Sequence, residues 1–86
     1  MQLYLIKWKI KSVSSQAMEA VLKMPDYIEE LRKTHKLEKR YHIVGGHGGI
    51  IILHIGSHEE LERLLALMPI YNIASFKIYP LTEMTS

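Results

Sequence analysis

Tyr41-His42-Ile43-Val44-Gly45-Gly46-His47-Gly48-Gly49-Ile50-Ile51-Ile52-Leu53-His54-Ile55 runs directly into Gly56-Ser57-His58-Glu59-Glu60-Leu61. Two apolar runs rich in β-formers flank a glycine-rich interruption, and glycine enters left-handed turn conformations without steric cost. The pattern predicts a hairpin: a strand over 37–44, a turn over 45–49 and a second strand over 50–55. Ser57 followed by Glu60 is a capping box, in which the Ser hydroxyl accepts the Glu60 amide and the carboxylate reaches back. Leu61, Leu64, Leu65 and Met68 then form a helical stripe, and Pro69 helps to end that helix.

The pattern continues on both sides of the hairpin. Residues 3–10 read as a strand, with Tyr4, Ile6, Trp8 and Ile10 on one face and Leu3, Leu5, Lys7 and Lys9 on the other. Ser14 or Ser15 caps a helix whose apolar stripe is Ala17, Val21, Met24, Ile28 and Leu31. Pro25 lies inside that stripe and removes an amide donor, so the helix either kinks there or breaks in two. Residues 73–79 read as the last strand, closed by Pro80. The order is β-α-β-β-α-β, which predicts an α+β, ferredoxin-like fold: a four-stranded antiparallel sheet with both helices on one face. One domain over 1–81 and a polar tail over 82–86 account for the chain.

The chain has 86 residues, 48% of them apolar and 23% charged, with no cysteine. At this length roughly 60% of the unfolded surface is buried on folding, so a second copy is a natural source of further burial. The absence of cysteine excludes thiol nucleophiles, thiolate zinc sites and redox switching. No apolar run is long enough to span a membrane, and Met1-Gln2-Leu3-Tyr4 shows no signal-peptide pattern, so a cytoplasmic setting is expected. The net charge of +2 is too small, and too mixed with the nine carboxylates, to predict nucleic-acid binding. The sheet face turned away from the helices carries Ile50 and Ile52 with nothing to cover them, which predicts a homodimer or larger homo-oligomer.

His47 is the first candidate for chemistry. It stands alone among four glycines, where a ligand can approach closely, and imidazole passes protons in either direction near neutrality. The glycines match neither the dinucleotide fingerprint nor the phosphate-binding loop, so no nucleotide cofactor is expected. A hairpin centred on His47 pairs position 42 with 52 and 40 with 54. That register puts His42 and His54 together on the outer face and turns Tyr41 and Ile43 toward the helices. Two histidines without a convergent carboxylate or thiolate make a poor metal site, so no metal is expected. A pocket between sheet and helices would be lined by Trp8, Met24, Tyr41, Leu53 and Phe76, with His47 at its mouth; the same residues also suit an ordinary core.

Val44-Gly45, then Ser57-His58-Glu59-Glu60-Leu61 with Leu64-Leu65, then Pro69 eleven residues before Pro80-Leu81, keep an unbroken spacing. Together with the opening Leu3-Tyr4-Leu5-Ile6-Lys7, this pattern resembles the muconolactone isomerase family over nearly the whole chain. The resemblance implies a dimeric α/β barrel with a cofactor-free site between sheet and helices. It also implies proton transfer on an unsaturated lactone by a helix carboxylate with loop Tyr and Asn side chains. Those three positions fall at Met24, His47 and Gly49, and a slip of the helix around Pro25 would instead bring Glu19 or Asp26 inward. The expected function is therefore cofactor-independent isomerase or cyclase chemistry on a small unsaturated lactone, enone or polyketide-like substrate, with His47 as acid/base and Tyr41 as hydrogen-bond donor to the developing enolate. The alternative is a non-catalytic ligand-binding or assembly module on the same fold.

Overall fold

Alternation of apolar residues places β1 (Gln2–Ile10) inside the sheet, where both of its edges are paired. It runs antiparallel to β3 (Gly48–Ile55) on one side and to β4 (Ala74–Leu81) on the other. The strand β2 (Leu37–His42) adds to the far edge of β3, giving the order β2-β3-β1-β4. The structure, a computed structural model, describes residues 2–84. Of the polar tail expected at 82–86, residues 85 and 86 lie outside the described residues.

The helical segments are α1 (Ser15–Val21), α2 (Met24–Lys33) and α3 (His58–Leu67). Of the two outcomes expected at Pro25, the chain takes the break: α1 ends at Leu22, and Pro25 sits in the first turn of α2, where its missing N–H costs no hydrogen bond. Ser14 caps α1 by accepting the Ala17 amide at 3.0 Å. Ser57 accepts the Glu60 amide at 3.1 Å, and the Glu60 carboxylate reaches back to the Gly56 amide at 3.2 Å. Lys36 meets the same carboxylate at 3.1 Å. The Lys36 hydrogen bond, seconded by the Gly56 amide, holds the Glu60 carboxyl below its ordinary range.

One sheet face and the three helices enclose the core. Ile6, Ile51, Leu53 and Ile55 from the sheet meet Ile28 and Leu31 of α2 and Leu61 of α3, all essentially removed from water. The Tyr27 hydroxyl donates to the Leu64 carbonyl at 2.6 Å and ties α2 to α3. Burial pushes that hydroxyl up to about 12, so it remains a neutral donor throughout the neutral range. The opposite sheet face carries Leu3, Leu5, Ile50, Ile52, Tyr79 and Leu81, and among the described residues no helix packs on it.

The hairpin departs from its expected register. His42 pairs with Gly49 rather than Ile52, Tyr41 with Ile50 and Arg40 with Ile51. Side chains alternate with a period of two, so an offset of three residues turns β2 over. Arg40 and His42 therefore share the core side of the sheet with Ile51, whereas Tyr41 and Lys39 share the outer side with Ile50 and Ile52. A register shift between Leu37 and Lys39 marks a bulge, and Glu38 there meets His54 at 2.6 Å. His42 and His54 are thus on opposite faces.

The physical reason lies in Gly48 and Gly49, which are strand residues and not turn residues. A Cβ on Gly48 would stand 2.5 Å from the Trp8 carbonyl oxygen. One on Gly49 would stand 2.8 Å from Trp8 Cζ2 and 2.9 Å from the Tyr41 carbonyl oxygen. The reversal is left to the residues before them, where Gly45 takes φ +83°. Accordingly β2 ends at His42 instead of 44, and β3 starts at Gly48 instead of 50. At the other edge β4 extends through Pro80, which an edge strand tolerates because its outer side needs no amide donor.

Gly48→Ala should therefore destabilise the protein by about 1–3 kcal/mol, the usual cost of forcing atoms into a packed site. Gly46→Ala, whose Cβ meets only Ile43 Cγ2 at 3.9 Å, should stay within about 0.5 kcal/mol of the parent. Chemical denaturation of the two variants checks the contrast.

Candidate functional site

Where α1 breaks from α2, the helices leave one end of the sheet uncovered and a cavity of about 410 Å³ opens there. Its apolar wall includes Trp8 and Ile10 from β1, Met18 and Leu22 around α1, and Met24 at the start of α2. Met24 is buried, whereas Leu22 is 78% exposed and stands beside the opening. The opposite wall is polar: Arg40 and His42 from β2, and His47 from the loop. No Asp or Glu lines the cavity. Glu19 borders a separate hollow with Gln16 and Lys23, and Asp26 is exposed on the first turn of α2, so neither supplies the carboxylate that a helix slip would have brought inward.

The loop carrying His47 is held by its backbone. The Ile10 amide donates to the His47 carbonyl at 2.8 Å, and the Ile43 amide donates to the Gly48 carbonyl at 3.1 Å. His47 itself is exposed and borders a second hollow as well, with Lys7, Lys9 and Val44 on the other side of the loop. The main chain is thus fixed while the imidazole keeps access to solvent and cavity.

Four of the residues expected at the pocket border it: Trp8, Met24, His47 and Tyr41. The alternation of β2 sends Tyr41 to the outer face, and what it brings near the cavity floor is its carbonyl, over Gly49. Leu53 does not reach the cavity because it lies mid-strand opposite Tyr4, sealed beneath the helices. Phe76 does not reach it either. It pairs with Trp8 from β4, on the side of β1 away from β2, and stacks on Tyr71 with ring centroids 6.2 Å apart. Arg40 and His42 are the residues that sequence reasoning missed. The available signal was Trp8 itself, since a large ring in the central strand needs glycine beside it.

His42 and His47 border the same cavity, yet among the described residues no group of three or more His, Asp or Glu is gathered for a metal ion. Among them, too, no helix is long and apolar enough to cross a membrane.

An antiparallel sheet in this order, helices on one face and a small-molecule-sized cavity between them define an α+β protein of ferredoxin-like design. The chain belongs to the muconolactone delta-isomerase family, whose pattern it matches over residues 3–86. It is 26% identical over 85 residues to the muconolactone delta-isomerase of Cupriavidus pinatubonensis, covering 94% of this chain and 92% of that one. It is 31% identical over 65 residues to the enzyme of the same name from Rhodococcus opacus, covering 76% and 70%. The fold matches a crystal structure of muconolactone isomerase with a TM-score of 0.85 at 16% identity, over 98% of this chain and 92% of the other. It also matches the 5-chloro-2-hydroxyhydroquinone dehydrochlorinase of Burkholderia phenoliruptrix, solved in complex with 2,5-dihydroxybenzoquinone. That TM-score is 0.73 at 13% identity, over 95% of each chain.

Proposed function

We propose that this protein is a cofactor-independent isomerase- or cyclase-type enzyme that moves a proton on a small unsaturated lactone, enone or polyketide-like molecule. The observation that carries this reading is the lining of the cavity: an apolar, tryptophan-containing wall facing two imidazoles and a guanidinium, with no carboxylate. His47 accepts a proton from the carbon next to, or conjugated with, the substrate carbonyl. The bond electrons pass to the carbonyl oxygen, giving an enolate on the Arg40 side of the cavity, and the imidazolium, open to exchange with water, delivers a proton at the far end of the conjugated system. Trp8 and Met24 hold the apolar body of the substrate. The donor role expected of Tyr41 passes to Arg40, because of the two it is Arg40 that shares the core side of the sheet. Met24 cannot accept a proton, so imidazole replaces the carboxylate that the family resemblance places there.

The reading as a ligand-holding module rests on the same methionine. Proton exchange separates the two. Wild-type protein with a panel of unsaturated lactones and enones in D₂O should incorporate deuterium at the α or γ carbon, followed by NMR. His47→Ala should slow this by about 10²–10⁴-fold, the usual contribution of a positioned general base. Binding without exchange would favour the module, and exchange at full rate in His47→Ala would remove His47 from the mechanism.

The proposal includes a homodimer in which two copies pack the outer sheet faces, burying Leu5, Ile50 and Ile52, to make an α/β barrel. Sedimentation equilibrium should give twice the chain mass or a larger multiple for the parent and a lower mass for Ile52→Lys. A parent that sediments as a monomer contradicts it.

A further inference from the structure

The cavity is electrostatically one-sided. β1, α1 and α2 contribute Trp8, Ile10, Met18, Val21, Met24 and Pro25, and none of these is charged. All of its charge capacity comes from Arg40 and His42 on β2 and His47 on the loop, every one of which is neutral or cationic at any ordinary pH. Arg40 stays protonated throughout and has no ion-pair partner among the described residues. Its neighbour along the core side of β2 is His42, two residues on. Arg40 is exposed, so solvent reaches it from outside; the apolar wall displaces solvent on the cavity side, where a bound anion is screened less than in bulk water.

We propose that the cavity binds planar enols and phenols in their ionised form, with Arg40 as the residue that selects the oxyanion. The shape suits such a ligand. Trp8 is packed down on Gly48 and Gly49, where a Cβ would stand 2.5–2.8 Å from its atoms, and it borders the cavity together with Arg40, so a flat ring lies against Trp8 with its oxygen toward Arg40. A hydroxyl on an sp² carbon is acidified in this setting. The proton leaves to solvent or to an imidazole, and the electron pair stays on the oxygen and spreads into the ring. Carbonyl substrates reach the same charge distribution as they become enolates, so a stable phenolate reports on what the site does to an enolate. This inference deepens the proposed proton transfer and rests on that reading of the cavity, but its test needs no turnover.

The probe is 4-nitrophenol, whose phenolate is coloured and whose neutral form is not at the same wavelength. Titrating the protein into the probe across the neutral pH range gives the pKa of the bound ligand. In the parent it should fall by about one unit or more, the effect of one nearby opposite charge, so the phenolate binds at least about tenfold more tightly than the phenol. Arg40→Met should abolish most of that shift, whereas Lys33→Met, which removes one positive charge from the exposed end of α2, should keep it. Circular dichroism of both variants establishes that they fold. Absent binding, a bound pKa equal to the free value, or a shift that survives in folded Arg40→Met each overturns the proposal. A shift without any deuterium exchange on the lactone panel would retain the oxyanion site and remove the isomerase reading, and the converse result would do the opposite.

Discussion

The close approach of Trp8 to Gly48 and Gly49 sets the geometry of the functional end of this molecule. Trp8 occupies the central strand, and the next strand must present hydrogen where any other residue presents a Cβ. Fixing two glycines inside β3 pushes the chain reversal back toward Gly45 and fixes which residues of β2 lie opposite which residues of β3. Everything polar in the cavity follows from that pairing. With His42 opposite Gly49 and Arg40 opposite Ile51, the basic side chains share the cavity side, and Tyr41 and Lys39 share the other face. The break between α1 and α2 then leaves this end of the sheet uncovered.

The result is a site of one electrostatic sign. The family resemblance places a carboxylate on the helix wall, and here that wall is Met24 with other apolar neighbours. A carboxylate base becomes neutral as it takes the proton, so it leaves the new anion no charge to pair with. In the proposed reaction an imidazole base becomes cationic as the enolate forms, so base and product attract each other. Arg40 adds a charge that no pH in the working range removes. The edge position of β2 leaves Arg40 and His42 exposed to water, which moderates the field.

Much of the architecture was legible in the residues. Ser14 and Ser57 cap helices where a hydroxyl precedes an apolar stripe, and Pro25 divides the first helical region because it fits only a first turn. The alternation of Tyr4, Ile6, Trp8 and Ile10 identified the core side of β1. The hairpin was harder because five glycine-rich residues allow several centres. Symmetry about His47 is one choice, and the contact with Trp8 imposes another. The bulge near Glu38 leaves no mark in the local pattern, since its acid–histidine contact joins residues sixteen positions apart. An odd error in register exchanges the two faces of a strand, which is why Tyr41 and His42 traded places while the fold itself was unaffected. Leu53 and Phe76 were misplaced for a different reason: apolar residues of a core and of a pocket have the same composition, and only the position of the helices separates them.

The register of β2 against β3 is the claim on which the site depends, and cross-strand backbone NOEs in isotope-labelled protein measure it directly. The account predicts contacts between His42 and Gly49 and between Tyr41 and Ile50. Contacts between His42 and Ile52 would place the turn at His47, return Arg40 and His42 to the outer face, and contradict the cavity described above.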